Sequence, residues 1–144
     1  RHLNFQKGNF HYTDNYAGWY QAPGEEIVRW QSPLGQRIWQ MAYSGGMNPE
    51  LFGNEDLTKA TFNFLKEMLK KVDAKSPFRG PEGSFIRGNI DQAMKGNGEI
   101  WEYANKVEGD IKRFKGVEKI RRINGETLNL FSQDYIGGLV VPRN

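Results

Sequence analysis

One long amphipathic stretch, residues 54–73, constrains the fold of this chain more than any other feature of the sequence. Its residues, NEDLTKATFNFLKEMLKKVD, repeat a hydrophobic stripe at three- and four-residue spacing, which is the spacing of one face of an α-helix. Asn54 is a suitable N-cap, and the two acidic residues after it favour a helix start. The stretch therefore predicts one helix that docks on the rest of the domain and that Pro77 and Pro81 prevent from continuing. The stripe consists of Leu57, Thr61, Phe64, Leu65, Met68 and Val72.

Most of the remaining chain alternates apolar and polar residues, as half-buried β-strands do. Asn124–Gly125 between two such runs predicts a tight hairpin, and residues 31–35, QSPLG, predict another. Residues 84–98 are glycine-rich and predict a surface excursion with a helical turn at 90–95. The predicted strands are 9–20, 25–30, 36–43, 99–107, 110–115, 117–123 and 127–136.

Two segments on either side of the predicted helix resemble each other. Residues 24–46 read GEEIVRWQSPLGQRIWQMAYSGG, and residues 116–138 read GVEKIRRINGETLNLFSQDYIGG. This pattern indicates two similar meanders around one helix. Chance is the alternative, because alternating hairpins align readily and the chain has 17 glycines. In the alignment Glu26 falls on Glu118, Val28 on Ile120, Ile38 on Leu130 and Tyr43 on Tyr135.

Length and composition fit one folded domain over residues 1–144. We expect an α+β fold: a strongly curved antiparallel sheet or open barrel of six to eight strands, built from two similar meanders, with one long helix packed on it. Cysteine is absent, which excludes disulfides and thiol chemistry and is compatible with the cytoplasm, the location we expect. No apolar run approaches the roughly 18 residues of a spanning helix, so no membrane partner is expected.

The loop at residues 76–83, SPFRGPEG, is the most distinctive candidate for ligand contact. Its two prolines and Gly80 hold Arg79 in place, and a guanidinium so held suits a carboxylate or phosphate. Alternatively, Arg79 pairs with a nearby acidic residue and closes the loop. Four aromatic residues in or near strands would complete a pocket for a small anionic or aromatic ligand, or would belong to the core. They are Tyr16, Trp19, Tyr43 and Tyr135.

Acid–base chemistry has weak candidates in Glu26 and Asp14 as bases and Tyr43 as a donor. Alternation sends Glu26 to the apolar side of its strand, where a carboxylate either has a shifted pKa or pairs with an arginine. Catalysis is therefore the second hypothesis, after ligand binding. The only histidines, His2 and His11, lack metal-ligand spacing, so we expect neither a metal nor a cofactor.

A basic segment at residues 110–122 holds six basic and two acidic residues, in a chain of net charge +3. It could bind phosphates, but we favour a solvated outer face of the sheet whose charges also protect an edge. The sequence has no recognition-helix pattern and no aromatic RNA-binding motif. Nucleic acid is therefore not an expected partner of this domain.

A Tyr-x-Asp-x-Tyr-x-Gly segment, a Gly-Glu-Glu segment and an Arg-Gly-Pro loop follow one another within residues 5–140. In the order and spacing of these motifs, the chain resembles an uncharacterised bacterial domain family, found alone or behind helix-turn-helix regulators of the xenobiotic-response-element type. Relatives often have histidine where this chain has Ile136, have a shorter segment at 84–98, and begin with a further helix that this sequence lacks before Arg1. The shared motifs are Tyr12, Asp14, Tyr16 and Gly18; Gly24, Glu25 and Glu26; and Arg79, Gly80 and Pro81.

The resemblance implies, by analogy, an effector-sensing or dimerising module. Together with the candidate pocket, it favours a small-ligand-binding or sensor-type domain that is not an enzyme. The alternatives are an enzyme acting on a small polar substrate and an interaction module that forms a homodimer through a sheet edge.

Overall fold

The computed structural model describes residues 1–72 and 78–143. Within these ranges, eight strands and two α-helices form the fold, with one short 3₁₀ helix at Pro49–Leu51. The helices are α1, Glu55–Leu69, and α2, Ile90–Met94. The strands are β1, His2–Lys7; β2, Phe10–Tyr16; β3, Gly24–Trp30; β4, Arg37–Met47; β5, Gly83–Arg87; β6, Ile100–Asp110; β7, Arg113–Asn124; and β8, Glu126–Leu139.

All eight strands belong to one antiparallel sheet in the order β1-β2-β3-β4-β8-β7-β6-β5. Each half of the sheet is a four-stranded meander, and the two halves meet where β4 pairs with β8. The sheet is not closed, because β1 and β5 are its edges. The predicted α+β class and strand number are confirmed.

Helix α1 packs on the second half of the sheet. The side chain of Asn54 accepts a hydrogen bond from the backbone N–H of Leu57, as the predicted cap requires. Phe64, Leu65 and Met68 are buried, so the predicted apolar stripe is confirmed. The helix ends at Leu69, earlier than predicted. The sheet residues in this cluster are Trp101, Tyr103, Ile120, Leu130 and Phe131.

Several predicted boundaries are wrong. Strand β1 was not predicted. All of its residues are exposed, so its sequence does not alternate between apolar and polar side chains as a half-buried strand does. Residues 83–87 form β5, which overlaps the segment 84–98 that was predicted to be a surface excursion. Residues 113–124 form one strand rather than two. The hairpins at 31–35 and 124–125 are confirmed. Asp73, Ser76 and Pro77, which belong to the predicted helix end and loop, lie outside the described residues.

The strand register relates the two meanders by a local two-fold axis. Tyr43 of β4 lies directly opposite Tyr135 of β8. Gly24 lies opposite Tyr43 in β3–β4, and Gly116 lies opposite Tyr135 in β7–β8. These pairings agree with the sequence alignment and favour duplication over chance. Both halves also have a register shift at the same place, after Val28 and after Ile120.

Two glycines make room for these tyrosines. A Cβ at Gly24 would lie 2.5 Å from the hydroxyl of Tyr43, and a Cβ at Gly116 would lie 2.2 Å from the ring of Tyr135. Gly116 lies between the predicted strands 110–115 and 117–123, but in the structure its lack of a side chain serves packing inside one strand. Each tyrosine therefore covers the glycine opposite it.

Candidate functional site

A cavity of about 950 Å³ lies between the first half of the sheet and α1. The sheet side of the cavity includes Phe10, Val28 and Trp39, and the helix side includes Phe62 and Leu69. In the second half of the sheet, α1 itself covers the corresponding face. The cavity is therefore the part of this face that α1 leaves uncovered.

Arg79 forms part of the cavity floor and connects the two halves of the sheet. Its Nε donates to Glu118 at 3.0 Å, its Nη1 donates to Glu26 at 3.4 Å, and its guanidinium lies 4.5 Å from the ring centre of Tyr43. Its side chain is 8% exposed. Its backbone φ of 23° is unusual for a residue other than glycine. Of the two roles predicted for Arg79, this geometry favours the structural one, although its partners are distant in sequence rather than local.

Glu118 is the fully buried partner of Arg79. Besides Arg79 Nε, it accepts hydrogen bonds from the hydroxyl of Tyr103 at 2.7 Å and from the side-chain amide of Gln133 at 3.1 Å. A buried carboxylate is tolerated when its charge is paired and its oxygens accept hydrogen bonds. Glu118 lies behind the cavity lining and belongs to the support of the site.

Glu26 lines the cavity and occupies the equivalent position in the first half. Its Oε1 accepts a hydrogen bond from the hydroxyl of Tyr12 at 2.5 Å. The same oxygen forms the ion pair with Arg79. Burial raises the pKa of Glu26, and the guanidinium of Arg79 only partly offsets this effect. Burial of this carboxylate therefore favours its neutral form.

Asp14 and Tyr43 also meet at the cavity floor, where the hydroxyl of Tyr43 donates to Asp14 at 2.5 Å. This is the convergence of carboxylate and tyrosine that the catalytic hypothesis requires. Burial raises the pKa of Tyr43 and likewise that of Tyr12, so both hydroxyls keep their protons and act as hydrogen-bond donors.

The other predicted ligand-binding residues divide into two groups. Tyr16 and Trp19 line the same cavity as Arg79 and Tyr43, and Trp19 is 46% exposed. Tyr135 is not part of the cavity lining. Its ring is buried beside Phe114, and its hydroxyl donates to Asn105. Contrary to the prediction, Tyr135 therefore does not share this cavity with Arg79; together with Tyr43 it lines a second cavity.

Sequence reasoning missed several residues of this network. Glu118 was aligned with the candidate Glu26, and that alignment was the available signal for it. The partners of these carboxylates could be located only once the strand register was known. They are Tyr12, Tyr103, Asn105 and Gln133. Among residues 1–72 and 78–143, no group of three or more His, Asp or Glu side chains could hold a metal ion.

A second, more open cavity of about 850 Å³ lies on the other face of the sheet, over β4, β8, β7 and β6. Its basic residues come mainly from the segment that the sequence singled out, and Lys115 pairs with Glu108 at 3.5 Å across exposed side chains. This segment therefore belongs to a solvated outer face.

The family model for a domain of unknown function, DUF5680, matches residues 14–140. The chain belongs to the DUF5680 family. No curated protein and no solved structure matches it. In the described part of this DUF5680 domain, no helix is long and apolar enough to cross a membrane. The match begins at Asp14 and includes all of the predicted site residues.

Proposed function

We propose that this DUF5680 domain binds a small, mostly apolar molecule in the cavity beside α1. The observation that carries the proposal is the cavity itself: about 950 Å³, with apolar walls and a polar floor built around Arg79. Small-molecule sites have this size and this combination of apolar walls with a few polar groups.

The polar floor supports binding more than catalysis. The hydroxyls of Tyr12 and Tyr43 each donate to a carboxylate, so their orientation is fixed. Because burial raises both pKa values, these groups hold their protons near neutral pH. A rigid floor of this kind orients a ligand at low entropic cost.

An aromatic ligand fits this floor better than an anionic one. An anion would have to compete with Glu26 and Glu118 for the guanidinium of Arg79. Trp19, Trp39 and Phe62 line the cavity and offer ring faces and edges to an aromatic body. We infer that binding serves a sensing role, which the resemblance to domains found behind regulators implies.

Binding of the neutral dye N-phenyl-1-naphthylamine tests this function. We expect its fluorescence to rise and saturate with the protein, because the dye enters an apolar cavity. Val28→Trp should abolish the rise, since Val28 forms part of the wall. Val141→Trp, at a position that is 87% exposed and lies outside the lining, is the matched control and should leave the signal unchanged.

An absence of saturable dye binding would contradict the proposal. Equal binding by Val28→Trp and the wild-type protein would contradict it as well. Circular dichroism of both variants establishes that each has folded.

A further inference from the structure

The two halves of the sheet differ at one polar position beside the cavity. Asp14 lies opposite Glu26 in the β2–β3 register, and Asn105 lies opposite Glu118 in the β6–β7 register. Asp14 accepts a hydrogen bond from Tyr43, as Asn105 does from Tyr135. The two positions are therefore equivalent, with a carboxylate in one half and an amide in the other.

The amide in the second half has a donor role that the carboxylate cannot fill. Nδ2 of Asn105 donates to the backbone oxygen of Gly80 at 2.9 Å and fixes the loop that carries Arg79. Asp14 accepts hydrogen bonds only, and its second oxygen calls for a donor. Among residues 1–72 and 78–143, none of the six ion pairs includes Asp14, although it is only 8% exposed.

The charges around the cavity also favour a cation at its floor. The guanidinium of Arg79 contacts Glu26 and Glu118, and Asp14 lines the cavity without an ion pair in the described part of the chain. The remaining cationic residues of the lining are exposed and lie on α1 and at the chain start. They are Lys59, Lys66 and Arg1. Because these three side chains are exposed to solvent, a positively charged group of a ligand would compensate the charge of Asp14 in their place.

The two halves also differ at a second residue of the cavity lining. The indole N–H of Trp39 is buried and has no hydrogen-bond partner in the described part of the chain. Trp39 is 9% exposed and lines the cavity. Its counterpart in the second half, by the register of the two bulged hairpins, is Phe131, which has no polar atom. The unpartnered indole N–H calls for a hydrogen-bond acceptor, so it distinguishes the cavity wall of the first half and is separate from the charge at Asp14.

The second half shows where the apolar part of a ligand would lie. There, the apolar side chains of α1 pack in one cluster with Tyr103, Ile120 and Phe131. The equivalent residues of the first half all line the cavity instead. They are Tyr12, Val28 and Trp39.

We propose that the ligand is an amphipathic amine, with an apolar, ring-bearing body over Tyr12, Val28 and Trp39 and a protonated amine at Asp14. The inference rests on the function proposed above and specifies its ligand class. The body takes the place that α1 side chains take in the second half, and the ammonium group donates to the free oxygen of Asp14.

The test uses three probes of similar shape: 2-phenylethylamine, 2-phenylethanol and 3-phenylpropionate. Isothermal titration at neutral pH and low salt should give the amine an affinity at least about tenfold above that of the alcohol, since a close pair of opposite charges contributes that much when desolvated. The carboxylate should bind most weakly.

Asp14→Asn removes the charge and keeps the acceptor for Tyr43, as Asn105 shows for Tyr135. In this variant the amine and the alcohol should bind within about twofold of each other, because the variant lacks the charge that distinguishes them. Asp134→Asn makes the same change on the opposite face, at an exposed residue of the second cavity, and should preserve the preference of the wild-type protein.

Equal affinity for the amine and the alcohol in the wild-type protein would overturn the inference and leave the proposed function standing, provided that the naphthylamine dye still binds. A preference that survives in Asp14→Asn would overturn the role of Asp14. Failure of the dye and of all three probes would overturn the ligand class and the proposed function together.

Discussion

Glu26 and Glu118 occupy equivalent positions of β3 and β7 and share one guanidinium, that of Arg79. The two strands are separated by β4 and β8, so this contact connects the outer parts of both meanders. The side chain of Glu118 is fully buried, and Arg79 is the cation that pairs with it in the described structure. Arg79 thus joins the two units in addition to the pairing of β4 with β8.

We expect Arg79→Ala to lower the free energy of unfolding by about 3–5 kcal/mol, because it leaves the charge of Glu118 buried and unpaired. Arg79→Lys should recover only part of this loss, since lysine lacks the planar fork that reaches both carboxylates. Urea denaturation measures the effect. Lys115→Ala removes an exposed pair with Glu108 and should change stability by less than about 1 kcal/mol. Equal effects of the two alanine variants would contradict this role of Arg79.

The raised pKa of Glu26 predicts a specific pH dependence. In the unfolded chain this residue titrates near 4.3, and in the folded protein it titrates at a higher pH. Between the two values the folded state binds more protons, so the contribution of Glu26 to stability is greatest below the lower value and decreases as pH rises through the folded pKa. Denaturation of Glu26→Gln across this range should show a gain in stability, relative to wild type, that grows with pH.

Glu25→Gln is the control for this measurement, because Glu25 is the exposed neighbour of Glu26 on the same strand. Its difference from wild type gives the baseline against which the change for Glu26→Gln is measured. A constant difference for Glu26→Gln would show that the folded and unfolded pKa values of Glu26 coincide.

Phe64 is the most buried apolar side chain of α1, at 1% exposure. Truncation to alanine should cost about 3–5 kcal/mol, since it leaves a cavity beside Trp101 in the core of the second half. Phe5→Ala on the edge strand β1, where the ring is 62% exposed, should have little effect. An unchanged thermal midpoint for Phe64→Ala would show that the apolar stripe is not core.

The two glycines under Tyr43 and Tyr135 should not tolerate a side chain. We expect Gly116→Ala to lose about 1–3 kcal/mol, because the new methyl group must displace the buried ring of Tyr135. Gly24→Ala should lose a similar amount, because its methyl group would meet both the hydroxyl of Tyr43 and the backbone oxygen of Asn15 at 2.5 Å. Gly98→Ala is the control, since its Cβ would meet the nearest atom at an ordinary 3.9 Å. Similar midpoints of urea denaturation for all three variants would contradict the packing of the tyrosines on these glycines.

The sequence predicted those parts of the fold that depend on local patterns. The spacing of Phe64, Leu65 and Met68 identified α1, and Asn124–Gly125 identified a hairpin. Strand β1 gave no such signal, because its side chains are exposed on both faces. Gly116 misled the strand assignment, since a glycine that makes room for a ring looks the same in sequence as one that ends a strand.

The site was predictable only in part, because its contacts join residues that are far apart in the chain. Arg79, Tyr16, Trp19 and Tyr43 were found from their residue types, and the structure places them around one cavity. Arg79 is not free for a ligand because its Nε donates to Glu118. The pairing of the strands brings these two residues together, although they are far apart in the sequence. Local sequence patterns carry no information about such pairings.

Arg79 is a single residue beside the local two-fold axis, so its contacts with the two halves of the sheet cannot be identical. Arg79 uses Nε toward one half and Nη1 toward the other, and only Asn105 has an amide that fixes its loop. After a duplication, the second half of the sheet would be constrained in sequence because it holds the loop of Arg79. The first half could accept substitutions at the cavity with little loss of stability. Ligand preference within the DUF5680 family should therefore diverge at residues 10–43 faster than at their counterparts beyond residue 100.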